Sequence, residues 1–320
     1  MTPTRIIATL FFLWVCQPSR ADLTLRQSFD VKFGSLLPPD AVEAVNKQLA
    51  SSGFPSEVVT RVKGEKISST FGSVTSIIDC STDQMTLLNP AAKKYATVPM
   101  ADYPGTLAVS QLNSPAIQKM FQDLKFDVQT NKTGRTGMLN GIRAEEFEMT
   151  LSFELPGSHQ TPAGFKMVLQ QWIASPEESN RIPAIEEFAG YSARVQNKMN
   201  SYDVMQKVFA QLPGLGDKLR GPLEELRKTN GSLVLKMHMA GYMPAVAQMF
   251  QKMQKEGTPV PPGFDPDAPL FEISMNLAEL STGAVPDSAF LAPADYETAP
   301  LEEMLKSAMP VQSLLPGLSK

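Results

Sequence analysis

Two histidines, two cysteines and five adjacent acidic pairs are the side chains that could carry proton transfer, nucleophilic attack or metal binding in this chain, and their spacing assembles none of these. A metal site needs clustered His, Cys or carboxylate ligands. His159 lies in a Ser/Pro/Gly-rich stretch, and His238 falls on the polar parity of an alternating segment, so both read as solvated imidazoles. Asp265-Pro266-Asp267 is too short and too Pro-broken for a calcium loop. An activated serine or thiol needs a base beside it. No Gly-x-Ser-x-Gly occurs, and a hydrolase would have to place His159 or His238 beside a serine and a carboxylate. The pairs Glu145-Glu146, Glu177-Glu178, Glu186-Glu187, Glu224-Glu225 and Glu302-Glu303 point apart on a strand or diverge on a helix, so they read as solvated faces and helix-start charges. Gly214-x-Gly216 has no strand before it and makes no phosphate loop. The chain is expected not to be an enzyme, and to use no cofactor and no metal.

Methionine is the one unusual component, with 17 residues. Met149, Met167, Met199, Met205, Met237, Met239, Met249, Met253 and Met275 fall in segments patterned as strands or helices. Flexible, polarizable thioethers fit variable apolar partners, although ordinary core filling explains them too. Cu(I) would want exposed, clustered Met-x-Met or Met-x-x-Met, whereas Met237-x-Met239 lies on an inward parity. Cys80 follows the apolar pair Ile77-Ile78 with no histidine or second cysteine near it, and reads as a small buried hydrophobe rather than a reactive thiol.

The elements that must position these residues show mainly as alternation of period two. Leu23, Leu25, Phe29, Val31 and Phe33 share one parity, against Thr24, Arg26, Ser28, Asp30 and Lys32 on the other. The pattern recurs in Phe147–Leu155, in Leu233–Met239 and in Phe271–Leu277. One dry face and one wet face belong to antiparallel sheets covered on one side. Shorter strands are expected at 57–62, 67–71, 74–80, 84–88 and 94–98, with Lys63-Gly64-Glu65-Lys66 and Asn89-Pro90 as turns. Further strands are expected at 126–130, 137–144 and 165–173, the last after a loop at 156–164. Helices are expected at about 38–52, 114–124, 183–210, 219–226, 244–253 and 301–308. Many antiparallel strands with helical insertions make an α+β domain.

Residues 1–21 read as a cleavable export signal: Arg5 in the n-region, an apolar run from Ile6 to Val15, and Ser19-Arg20-Ala21 before the cut. The run is about half of a bilayer span. A lipoprotein signal would want a small residue before Cys16, where Val15 stands. Cleavage therefore leaves residues 22–320 as one domain with a helical insertion at about 182–229, periplasmic or secreted, with no transmembrane span and with Cys80 as its single thiol. The net charge of −4 falls further without Arg5 and Arg20, and no basic run appears, which argues against nucleic acid.

Ser76-Ile77-Ile78-Asp79, Leu87-Leu88-Asn89-Pro90, Lys93-Lys94-Tyr95, Val285-Pro286-Asp287-Ser288-Ala289-Phe290 and Pro293-Ala294-Asp295-Tyr296 stand in an order that resembles bacterial envelope proteins similar to the outer-membrane lipoprotein carriers, the LolA-like group. The resemblance implies a strongly curved antiparallel sheet, an open half-barrel, with helices covering its concave face and an apolar cavity between them. No ligand-contacting residue of that family maps onto this chain, and the helices at 38–52 and 182–229 exceed what a minimal carrier needs. The expected function is binding of a lipid, another apolar ligand or an apolar protein segment, as in a lipid or lipoprotein carrier. The alternative is a non-enzymatic structural or protein-interaction module of the cell envelope, its interior closed. Phe29, Val31, Phe147, Met149, Leu151, Met237, Met239, Ile273 and Met275 are the expected cavity lining, with sealed core as the other reading.

Overall fold

The computed structural model describes residues 22–34, 39–51, 55–103, 125–154, 164–199, 221, 232–260 and 265–308. The expected signal at 1–21 with Cys16, the helices expected at 114–124 and 219–226, most of the 156–164 loop with His159, and the 200–210 part of the long helix lie outside the described residues.

Among the described residues, twelve strands form one sheet. They are β1 (Leu23–Phe33), β2 (Glu57–Lys63), β3 (Lys66–Phe71), β4 (Val74–Asp79), β5 (Gln84–Asn89), β6 (Lys94–Pro99), β7 (Lys125–Leu139), β8 (Ile142–Glu154), β9 (Phe165–Ala174), β10 (Val234–Tyr242), β11 (Phe271–Ser281) and β12 (Glu297–Thr298). Their order across the sheet is β12-β6-β5-β4-β3-β2-β1-β11-β10-β9-β8-β7, so the sheet is open, with β12 and β7 at its two edges. Every pairing is antiparallel except the short parallel contact of β12 with β6. β1 lies mid-sheet, between β2 and β11.

The helices among the described residues are α1 (Pro39–Ser51), α2 (Pro176–Arg181), α3 (Pro183–Met199), α4 (Pro244–Lys255) and α5 (Leu301–Ala308), with a 3₁₀ turn at Asp287–Phe290. Pro183 after Ile182 separates α2 from α3, since a proline has no N–H to continue the ladder.

One strand expectation needs correction. Residues 137–144 do not form a single strand: Asn140 and Gly141, both at positive φ (53° and 75°), turn the chain between β7 and β8. Asn-Gly is the pair that a tight hairpin with two left-handed residues favours. The expected turn at Gly64 is present, with φ 56°.

The main core gathers at one end of the sheet. It takes the first residues of β1 (Leu23, Leu25), β5 (Met85, Leu87) and β8 (Ile142, Ala144), and residues near the ends of β2 (Val62), β9 (Ala174) and β11 (Leu277). α3 adds Ala184, Ile185 and Tyr191 to the same cluster, and α5 adds Met304. Polar contacts follow this end too. Arg181 donates to the Gly141 carbonyl at 2.7 Å, Arg194 pairs with Glu65 at 3.3 Å, and Lys198 donates to the Cys80 carbonyl at 2.5 Å and pairs with Asp83. The β7–β8, β2–β3 and β4–β5 turns are thus tied to one helical stretch. A smaller cluster of Ile77, Leu88, Val285 and Phe290 seats the 3₁₀ turn elsewhere on the sheet.

Candidate apolar binding face

Directly opposed residues on neighbouring strands share a face, and three rows of such residues cross five strands. The first runs Phe29, Met275, Met237, Gln171, Phe147. The second runs Val31, Ile273, Met239, Leu169, Met149. The third runs Phe33, Phe271, Gly241, Met167, Leu151. With strands about 4.8 Å apart and alternate residues about 6.8 Å apart, the rows span roughly 19 Å by 14 Å between outer Cα positions. All nine residues expected to line a cavity sit in these rows. Phe147 and Met275 are buried, and the other seven are half-buried.

β9 supplies lining residues beyond the nine expected ones. Met167 and Leu169 fill the gap between β10 and β8. Their parity was available in Phe165, Met167, Leu169, Gln171 and Ile173, but Val168 and Trp172 on the other parity blur the alternation. Beyond the third row, Phe153 and Phe165 stack at 5.2 Å between ring centroids. Toward β3, Phe29 meets Phe71 edge-on at 6.3 Å, and Phe71 is 48% exposed.

Gly241 is where the third row needs a residue without a side chain. A Cβ there would lie 2.3 Å from Phe271 Cε1 and 2.6 Å from Cζ, so the phenyl ring occupies the space over the glycine. Three register shifts separate these rows from the core end of the sheet: at Arg26/Gln27 against β11, at Val234/Lys236 against β9, and at Lys132/Thr136 against β8. Bulges bend a strand and increase its twist locally.

Five of the noted methionines (Met149, Met167, Met237, Met239, Met275) lie in the rows, and Met199 packs against the main core. Met249 on α4 is 52% exposed, and Met205 lies outside the described residues. Among the described residues, no three His, Cys, Asp or Glu side chains converge as metal ligands.

Several titratable groups differ from the sequence reading. Glu146 is buried, not solvated: it pairs with Arg135 and accepts a 2.7 Å bond from the Thr133 hydroxyl. Glu178 is buried as well, and its bond from Arg181 holds its carboxyl below the usual range. His238 is on the polar face as expected, but it is half-buried and its Nε2 lies 3.0 Å from Glu272 Oε1. Cys80 is buried and free, and burial raises its thiol pKa. The Tyr191 phenol beside it is raised by burial too, and its hydroxyl lacks a partner of good hydrogen-bond geometry.

No described helix is long and apolar enough to cross a membrane. No family model matches the chain, and no curated protein matches it. Among solved structures it is similar to the lipoprotein LppX of Mycobacterium tuberculosis, at 8% identity over 82% of this chain and 88% of that one, with a TM-score of 0.26.

Proposed function

We propose that this chain is an exported, non-enzymatic protein that holds a lipid or another apolar ligand, or an apolar protein segment, against the three rows, between a sheet curved into an open half-barrel and helices on its concave side. The observation that carries this reading is that five adjacent strands keep apolar side chains in register and leave most of them half-buried. Each Å² of apolar surface left wet forgoes about 25 cal/mol, and contiguous patches of several hundred Å² mark binding surfaces. The thioethers in the rows would let one surface fit chains of different shape.

Curvature has its own support. The helical stretch 176–199 is bonded to the β7–β8, β2–β3 and β4–β5 turns, and the three register shifts are places where a strand can bend.

The test is uptake of a fluorescent fatty acid by the purified full chain, together with native mass spectrometry for lipid carried through gentle purification. Met239→Asp, at the centre of the rows, is expected to lower uptake at least about tenfold by placing a charge against the ligand. Recovery without lipid, together with no uptake by the unaltered protein, would defeat this reading and favour the closed structural or protein-interaction module.

A further inference from the structure

The opposite face of the same strands carries its own aligned set of side chains. Asn276, Lys236 and Trp172 stand in one row, and Asp30, Ser274, His238 and Gln170 in the next. A cleft of about 450 Å³ opens among them, bounded also by Lys32. That is within the size of ordinary small-ligand sites. Its shape follows from side-chain length: Ser274 is short and central, while longer groups on both neighbouring strands rise around it. Trp172 is seated by a missing side chain, because a Cβ at Gly137 would come 3.1 Å from the ring's Cζ3.

Internal bonds engage several of the polar groups, the Lys32–Asp30 pair being exposed on both sides. His238 is bonded to Glu272 at 3.0 Å, Lys32 pairs with Asp30 at 3.2 Å, and Gln170 Nε2 donates to Glu148 at 2.9 Å. Lys236 is exposed and, among the described residues, has no ion-pair partner. The cleft thus offers one uncommitted cation, two side-chain amides and a hydroxyl that both donate and accept, a carboxylate acceptor, and an aromatic wall.

We propose that this cleft binds an acidic sugar. Lys236 takes the sugar's carboxylate, the amides of Gln170 and Asn276 with Ser274 and Asp30 meet its hydroxyls, and Trp172 covers a C–H face. Sugar hydroxyls need donors and acceptors side by side, which this set provides and which a bare anion would leave unused. A long polyanion is disfavoured by the chain's net charge of −4. The site lies on the face away from the apolar rows, so it stands or falls independently of fatty-acid uptake.

The chain has two tryptophans, and Trp14 falls in the expected export signal, so Trp172 is the sole reporter in the cleaved protein, and Trp14→Phe makes it so wherever residues 1–21 are retained. Titration with digalacturonate is expected to change Trp172 emission saturably, while cellobiose and acetate leave it unchanged. Lys236→Met is expected to weaken digalacturonate binding about tenfold or more, the loss of a charge-assisted hydrogen bond. Asn276→Leu, a second exposed position, is expected to weaken it by a smaller factor with an unchanged far-ultraviolet spectrum. No saturable change with digalacturonate, an equal response to cellobiose or to acetate alone, or undiminished affinity in both variants would overturn the assignment.

Discussion

Gly241→Ala tests how the apolar rows are packed, because its effect should change sign with the residue at position 271. A methyl group at 241 would lie 2.3 Å from Phe271 Cε1 and 2.6 Å from Cζ, so the ring must move more than about 1 Å to regain ordinary carbon contact. Overpacking of this kind costs about 1–3 kcal/mol. Replacing glycine by alanine in backbone that alanine can adopt returns about 0.4–1 kcal/mol through the unfolded chain, and Gly241 is not among the positive-φ residues. The net expectation is a loss of about 1–2 kcal/mol. With Phe271→Leu in the background the ring is gone, and the same Gly241→Ala change should be neutral or stabilising by a few tenths of a kcal/mol. Urea unfolding of the four proteins closes the cycle. An equal change in both backgrounds would show that the phenyl ring does not rest on this glycine.

Two further outcomes are expected. Arg135→Met leaves the buried Glu146 carboxylate with the Thr133 hydroxyl but no cation, and because Arg135 itself is more than half exposed the loss is set at about 1–2 kcal/mol. An unchanged urea midpoint would show the pair to be irrelevant to stability. Burial also raises the Cys80 thiol above its ordinary 9.0 and the Tyr191 phenol above its ordinary 10.0, so the fold favours both neutral forms. Their contribution is therefore complete below those ordinary values and is lost as pH climbs through the raised folded values. Denaturation midpoints from about pH 8 to about pH 11 should fall, and Cys80→Ala should flatten the earlier part of the fall. A flat profile in the unaltered protein would count against both burials.

Much of the sheet was legible because one-sided strands leave a period of two. Parity alone marks Phe29, Met275, Met237 and Phe147 as the dry side of their own strands, and the register then sets those sides on one face. β9 is harder to read, since Trp172 and Val168 make its polar side partly apolar and mask the dry parity of Met167 and Leu169. Apolar residues flank Asn140-Gly141 closely on both sides and mask the turn, although the dipeptide itself carries the signal. The burial of Glu146 depends on Arg135 and Thr133, which come beside it only through the β7 bulge. No local pattern announces a bulge. Nor does any announce Gly241, whose meaning comes from a ring thirty residues further on.

The central place of β1 bears on how the chain must fold. One edge of β1 can pair with β2 almost as soon as both are made, but the other waits for β11, as the bond between Ser28 and the Asn276 carbonyl, 248 residues apart, makes plain. Until then the unpaired N–H and C=O groups along one edge of β1 stand open beside an otherwise local meander. Such long-range closure slows folding and exposes the half-built chain to sticking, so the yield of refolded protein should fall as its concentration rises.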